Sequence, residues 1–495
     1  MGFKADTSFL RFLSMGAIGV RQTMHQLEGL GFKPIELERY CASNKIWSTK
    51  VKRLRLPDLM CVKTGLRLEV RAKSDLKIRM SDAPNNPDRV WDAGLQDDDL
   101  AAFIACFDNG NGFFTPADEA SFFRIGDLRA TVDQSKLGPP KSASEGAERD
   151  RTWPASIPKR DGHVLEVTEQ RIACEMFAND EQAARKQSYP LKGKIPYVSA
   201  GDVFKAGSCF ISGAPSSMAD LSAYVNQSYD PFAALTSDNA VDRYAASKSL
   251  PYRDDPRANA ISALEQLIGT EEEQRIKLEA AGSATALGSA LGQDTISEFI
   301  WGAEAIHEMR MEAVLILTEL GDGGFTRDLL KAIAAHPDFA QNEVRQAAVW
   351  GLGKAGLKSY DDLLPYIADA EENMALHAIA GFDENTPQNV IDDLVGMLIG
   401  GDTRISSAAS ETLRIISNQN VLTSLMQAYD AHADKRGWIL ATLGRMSPDL
   451  VRAELQGHEA LALLEPMLLC APGSNWLSSE QMTTDISFLL KQNIS

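Results

Sequence analysis

Two carboxylates and several cations stand close together in the stretch Arg55-Leu-Pro-Asp-Leu-Met-Cys-Val-Lys-Thr-Gly-Leu-Arg-Leu-Glu-Val-Arg-Ala-Lys73. Asp58 and Glu69 offer oxygen ligands of the kind that suit Mg²⁺ (or Mn²⁺), which takes few protein ligands and keeps several waters. An ion held there lowers the pKa of a bound water and stabilises charge on an attacked phosphate. A neighbouring lysine adds to that stabilisation or orients the water. Arg71 is suited to gripping a phosphate bidentately, but it cannot be deprotonated and so cannot serve as a base.

Those groups act together only if the backbone brings them to one place. Residues 55–73 read as two short strands joined at Thr64-Gly65, with side chains alternating between faces. A two-residue turn sets Lys63 opposite Leu66, Cys61 opposite Leu68, Met60 opposite Glu69 and Asp58 opposite Arg71. Leu59, Cys61, Leu66, Leu68, Val70 and Ala72 then form a core face. Asp58, Glu69, Arg71 and Lys73 fall on the other, with Met60, Val62 and Arg67, and that face is expected to be polar and open to solvent. Upstream, Ser8–Leu30 has helical apolar spacing and stops at Gly29-Leu-Gly31. Downstream, Leu100–Phe107 is an unbroken apolar run, as in a strand buried on both faces.

Residues 55–73 resemble the PD-(D/E)xK nuclease superfamily, in which a Pro-Asp begins one strand and an acid-x-Lys lies on the next. The resemblance, which extends over about residues 8–130 through the order helix, hairpin, loop and buried strand, implies an αβββαβ core. It also implies a Mg²⁺ (or Mn²⁺) held by Asp58 and Glu69, and hydrolysis of DNA phosphodiester bonds. The sequence departs from the family where Arg71, not lysine, stands two residues after Glu69. Lys73, one pleat further on the same face, takes the lysine's role, with Lys63 the alternative. The family often places an acid from its first helix near the metal, and Glu28, Glu36 and Glu38 all qualify. A nuclease of this kind suits restriction or defence against foreign DNA.

The net charge of −18 conceals a partition: residues 1–90 contain 17 Lys+Arg and 9 Asp+Glu, or +8, and the remaining 405 carry −26. A basic N-terminal region suits a phosphate backbone and the acidic remainder does not. Asn44–Arg55, basic and with Trp47 in its midst, reads as a phosphate-contacting stretch or, for most of its lysines, as solvated surface. No apolar run is long enough to span a membrane. Six scattered cysteines without a CxxC suit a reducing cytoplasm and give no zinc signature.

The expected organisation is multidomain. Residues 1–131 form an α/β restriction-endonuclease-like domain and 132–160, poor in apolar residues, a linker. Residues 161–229 form a small β-rich module, and 230–495 an all-α HEAT-like solenoid. The last rests on a recurring basic residue, Arg243, Lys277, Arg310, Arg345, Arg404 and Arg436, spaced by one helix pair except between Arg345 and Arg404, where the spacing is two. Each is expected to begin the second helix of a pair. Such pairs bury their apolar stripes only by stacking on neighbours. DNA is therefore expected at residues 1–131, and a protein partner on the acidic solenoid. Gly351-Leu-Gly-Lys-Ala-Gly356 matches GxGxxG but lies in a repeat helix with no strand before it; Trp350 and Trp438 read as solenoid core, and His377 as a packing or surface residue. Two other readings compete: a non-catalytic DNA-binding scaffold with a degenerate nuclease-like domain, favoured by Arg71, and a purely structural adaptor.

Overall fold

Helix α1 (Thr7–Gly29) ends where Gly31 adopts φ +92, with Gly31 N–H donating to Glu28 O and Phe32 N–H to Leu27 O. This is a Schellman stop, sealed by the buried side chains of Leu27 and Phe32. The computed structural model describes residues 7–37, 47, 54–108, 114–141, 147–180, 182–321, 323–339, 343–354, 356–371 and 374–469. Strands β1 (Pro34–Glu36), β2 (Leu59–Cys61), β3 (Arg67–Lys73), β4 (Arg79–Asp82), β5 (Leu100–Asp108), β6 (Phe114–Pro116) and β7 (Ser121–Arg124) follow α1. A mixed sheet has the order β1-β2-β3-β5-β6, with β7 also paired to β5; β1, β2 and β3 are antiparallel neighbours and β3 runs parallel to β5. As expected, β5 is buried on both faces until its last residues.

The helix lies directly on this sheet. A Cβ at Gly19 would stand 2.5 Å from Ala72 Cβ and 3.1 Å from an Ile104 methyl, so only glycine allows α1 so close to β3 and β5. The crossover from β3 to β5 carries β4 and a 3₁₀ turn (Pro87–Arg89) but no α-helix, where an αβββαβ order expects one.

Residues 132–160, read from composition as a linker, carry short strands among the described residues. After α2 (Ile125–Ala130) come β8 (Lys136–Leu137) and β9 (Arg149–Thr152), which form the small sheet β4-β9-β8. β8 is only Lys136-Leu137 and β9 alternates charge along Arg149-Asp-Arg151, so no apolar pattern betrays them. Next come β10 (Ala155–Ser156), β11 (Gly162–Val167), β12 (Arg171–Met176), β13 (Arg185–Pro190), β14 (Ile195–Pro196), β15 (Val203–Phe204) and β16 (Ser212–Gly213). They make the antiparallel sheets β13-β12-β11-β15 and β10-β16-β14, the first closed over Val164, Ile172, Cys174, Met176, Tyr189 and Phe204.

From Pro231 the described chain is helical: α3 (Pro231–Ala234), α4 (Ala240–Ser249), α5 (Arg257–Thr270), α6 (Gln274–Ala286), α7 (Ala290–Trp301), α8 (His307–Leu320), α9 (Gly324–Ala335), α10 (Glu343–Leu352), α11 (Tyr360–Ile367), α12 (Met374–Ile379), α13 (Gln388–Gly400), α14 (Thr403–Ile416), α15 (Gln419–Ala431), α16 (Arg436–Leu443), α17 (Pro448–Glu454) and α18 (Glu459–Leu469). The layout is thus α/β sheets followed by an all-α region. The chain nevertheless divides into two units at a different place: Arg11–Tyr40 with Arg53–Ser283, and Met1–Leu10 with Cys41–Lys52 and Ala284–Asn493. The first helix pairs belong with the sheets because α4 buries Ala245 against Ile35, Leu37, Met60 and Val62. In the helical unit α8, α10, α12, α14, α16 and α18 pack in series, and so do α11, α13, α15 and α17.

Each basic residue noted above falls at the beginning of an even-numbered helix, and α12, which lacks one, fills the double gap. The arginines staple helix ends. Arg310 donates to Ile300 O and Gly302 O, Arg345 to Ala334 O, Arg404 to Ala368 O, and Arg436 to Tyr429 O. Cations there satisfy carbonyls that a helix C-terminus leaves without partners. Trp47, expected beside phosphates, is instead fully buried in the helical unit, stacked 5.0 Å from His377 and edge-on to Trp350. Trp350 is buried as expected and His377 is buried with it, while Trp438 is only half-buried. The GxGxxG match serves packing: a Cβ at Gly351 would meet Thr318 of α8 at 2.5 Å.

Candidate active site

The hairpin pairs Leu59 with Leu68 and Met60 with Arg67, and Cys61 N–H donates to Leu66 O at 2.8 Å. Its loop is therefore four residues, Val62–Gly65, not two. Gly65 closes it at φ +76, its N–H on Cys61 O. The register differs by two residues from the expected one, which leaves the faces unchanged because side chains alternate with period two. The consequence for the acids is large. Carried one residue further, the register sets Asp58 opposite Glu69 rather than Arg71. Val70 N–H donates to Asp58 Oδ2 at 2.7 Å, fixing the first carboxylate beside the second.

The face they share is not open. Asp58 is 4% exposed and Arg67 5%, and Met60 and Val62 are fully buried. Ala245 of α4 covers one flank. On the other flank β5 presents Phe103 in register with Arg71, and Phe103 and Phe123 pack against Phe210 and Tyr197 of the β-rich module. Glu69, Arg71 and Lys73 stay half-buried between these flanks. Both coverings come from far along the chain, which is why alternation alone misread this face as solvated.

Around the pair the electrostatics are uneven. Arg71 Nη2 lies 2.5 Å from Glu69 Oε1. Burial pushes the Lys73 ammonium down to about 8, helped by Arg71, Lys141 and Arg79 and opposed by Asp150. Lys63 is exposed in the loop at the far end of the hairpin and is not brought to the acids. Nor is Glu28, exposed on α1 with its Oε2 3.3 Å from His25 Nδ1. Glu36 registers with Leu59, so it sits on the face turned to α1. Glu38 and most of residues 44–55 lie outside the described residues.

One charged network escaped the sequence reading. Arg67 donates to both Asp99 oxygens, at 2.8 and 3.1 Å, and to Asp242 Oδ1 at 2.7 Å. Burial holds the Asp99 carboxyl above its usual range, against the pull of Arg67. A cavity of about 560 Å³ opens beside it, lined by Thr64, Arg67, Gln96, Asp99, Tyr224 and Tyr229. The cluster Asp97-Asp98-Asp99 was the one visible signal; its cation and Asp242 are remote in sequence.

Asp58 and Glu69, oxygen donors from adjacent strands on one face, fit Mg²⁺ in type. Among the described residues no three His, Cys, Asp or Glu side chains gather to hold an ion. An ion at this pair would therefore complete its shell with water and substrate oxygens, and Arg71 would have to yield Glu69 to it. No protein-family model matches the chain, and no curated protein matches it. No described helix is long and apolar enough to cross a membrane.

Proposed function

We propose that this chain is a metal-dependent endonuclease hydrolysing DNA phosphodiester bonds, with a PD-(D/E)xK-type sheet carrying the chemistry and a HEAT-like α-solenoid docking a protein partner. The observation that carries this reading is the register of β2 and β3, which sets Asp58 against Glu69 with Arg71 and Lys73 following on the same face. Asp58 and Glu69 would hold Mg²⁺ or Mn²⁺, which supplies an acidified water and neutralises phosphate charge. Lys73 Nζ, with its pKa near 8, exchanges a proton with the attacking water near neutral pH. Arg71 leaves Glu69 and grips a non-bridging phosphate oxygen. The serial packing of even helices on even and odd on odd supports the solenoid. The +8 of residues 1–90 supports DNA on the sheet side, and scattered free cysteines suit a cytoplasmic enzyme acting in restriction or defence.

The helix-free crossover departs from the family core. The Arg71–Glu69 contact favours a second reading, a DNA-binding scaffold whose carboxylate is already neutralised by its own arginine. Plasmid nicking with Mg²⁺ or Mn²⁺ separates the two. Asp58→Asn and Glu69→Gln should each lower the rate by at least about two to three decades. Nicking that survives either change rejects the site. No nicking by the unaltered protein under any condition, with DNA binding intact, gives the case to the scaffold.

A further inference from the structure

The small sheet β4-β9-β8 brings charge to the end of β3. Arg79 Nη1 lies 3.1 Å from Asp150 Oδ2, and Lys141 Nζ lies 2.9 Å from Asp150 Oδ1, so one carboxylate bridges two cations. Lys141 Nζ also approaches Ser81 Oγ at 3.3 Å and Glu148 Oε2 at 3.4 Å. Arg79 reaches Asp75 Oδ2 only at 4.0 Å. Lys73 feels Arg71, Lys141, Arg79 and Asp150 together. Four cationic side chains from β3, β4 and the β8–β9 connection thus lie near one another, answered by Glu69 on Arg71, by Glu148 on Lys141 and by Asp150, which Arg79 and Lys141 share. Arg79 and Lys141 are partly open to solvent, with side chains 21% and 41% exposed. Like charges crowded in this way repel one another, and an incoming anion relieves the repulsion. Carboxylates elsewhere on the sheet are already committed; Asp82, for example, accepts from Arg151 Nε at 2.6 Å.

We propose that Arg79 and Lys141 form, with Lys73, a binding site for a backbone phosphate of the DNA strand that reaches Asp58 and Glu69. The site rests on the nuclease reading for its direction, since the strand must pass along the half-buried face of β3. It does not need hydrolysis in order to bind. Asp150 acts as a placeholder: it keeps both cations aimed at one point and is displaced when a phosphate oxygen takes their N–H groups, which match an anion with several acceptor oxygens.

The test uses the full-length protein, a fluorescein-labelled DNA duplex and EDTA, with anisotropy read at several KCl concentrations. Each phosphate contact removed should flatten the slope of log K against log salt by about 0.9. The double variant Arg79→Ala/Lys141→Ala, which removes the one phosphate contact, should therefore flatten it by about 0.9 and weaken binding at least about tenfold at moderate salt. Lys141→Gln alone, at a partly exposed position, should take about half of that effect, and Lys141→Arg should restore it. A folded Lys141→Gln protein with an unchanged slope overturns the proposal, as does an unaltered protein that does not bind the duplex. Loss of binding in the variants, from a protein that never nicks plasmid, keeps the phosphate site and ends the nuclease reading.

Discussion

Arginine is used in opposite ways in the two units. In the helical unit each stapling arginine is answered: Arg345 meets Ala334 O at 2.8 Å, Asp369 Oδ2 at 2.6 Å and Glu371 Oε2 at 3.0 Å. In the sheet unit four cations, Arg71, Lys73, Arg79 and Lys141, share three carboxylates, Glu69, Glu148 and Asp150. Saturated cations hold a fold together. Cations in excess cost stability, and they persist where something else is to be bound.

The contrast yields three tests, from the largest effect down. Arg345→Ala should destabilise the protein by about 3 kcal/mol in urea denaturation, because two half-buried carboxylates lose their partner. Its DNA affinity should not change. A loss of DNA binding at constant stability would mean that the helical arginines are not structural.

Lys73→Met should act in the opposite direction. A lysine whose folded pKa is about 8 binds fewer protons than the unfolded chain between about pH 8 and 10.5, so its contribution to stability rises with pH across that window. Below pH 8 the buried charge is a net cost. Lys73→Met should therefore melt higher than the unaltered protein at pH 7, by up to about 3 kcal/mol in stability, with the gap closing by about pH 10.5. A gap independent of pH would show that Lys73 is not held in a strained charged state. The smallest effect belongs to Arg436→Gln. It loses one carbonyl bond and the stacking of the guanidinium 4.4 Å from the Tyr429 ring, about 1 kcal/mol in thermal melts. A cost as large as that at Arg345 would erase the distinction between staples that also neutralise acids and those that do not.

How much of this was legible depends on how local each cause is. The arginine spacing forecast the even helices because helix pairing is a short-range repeat. The buried β5 and the stop of α1 were equally local. The faces of the hairpin were right, but its register was off by two residues, since Gly65 permits a four-residue loop that the Thr64-Gly65 pair does not announce. The linker reading of 132–160 failed because β9 pairs with β4 across about seventy residues and carries Arg149-Asp-Arg151, not an apolar pattern. The expectation of an open face around Asp58 failed for the same reason, since Met60 and Val62 on that face pack against Ala245 of α4. Asp58 and Glu69 stood out as candidates from residue type, hairpin alternation and the family resemblance, whereas the bridging of Arg79 and Lys141 by Asp150 needed the fold.

The bond from Val70 N–H to Asp58 Oδ2 has an evolutionary consequence. Asp58 stands where β2 begins, and its side chain takes over a main-chain partner of β3, so folding alone selects for it. Glu69 is held by the side chain of Arg71. A lineage that had abandoned hydrolysis would keep Asp58 and drift at Glu69. On the proposed nuclease reading, Glu69 is therefore the position where loss of the activity would first show.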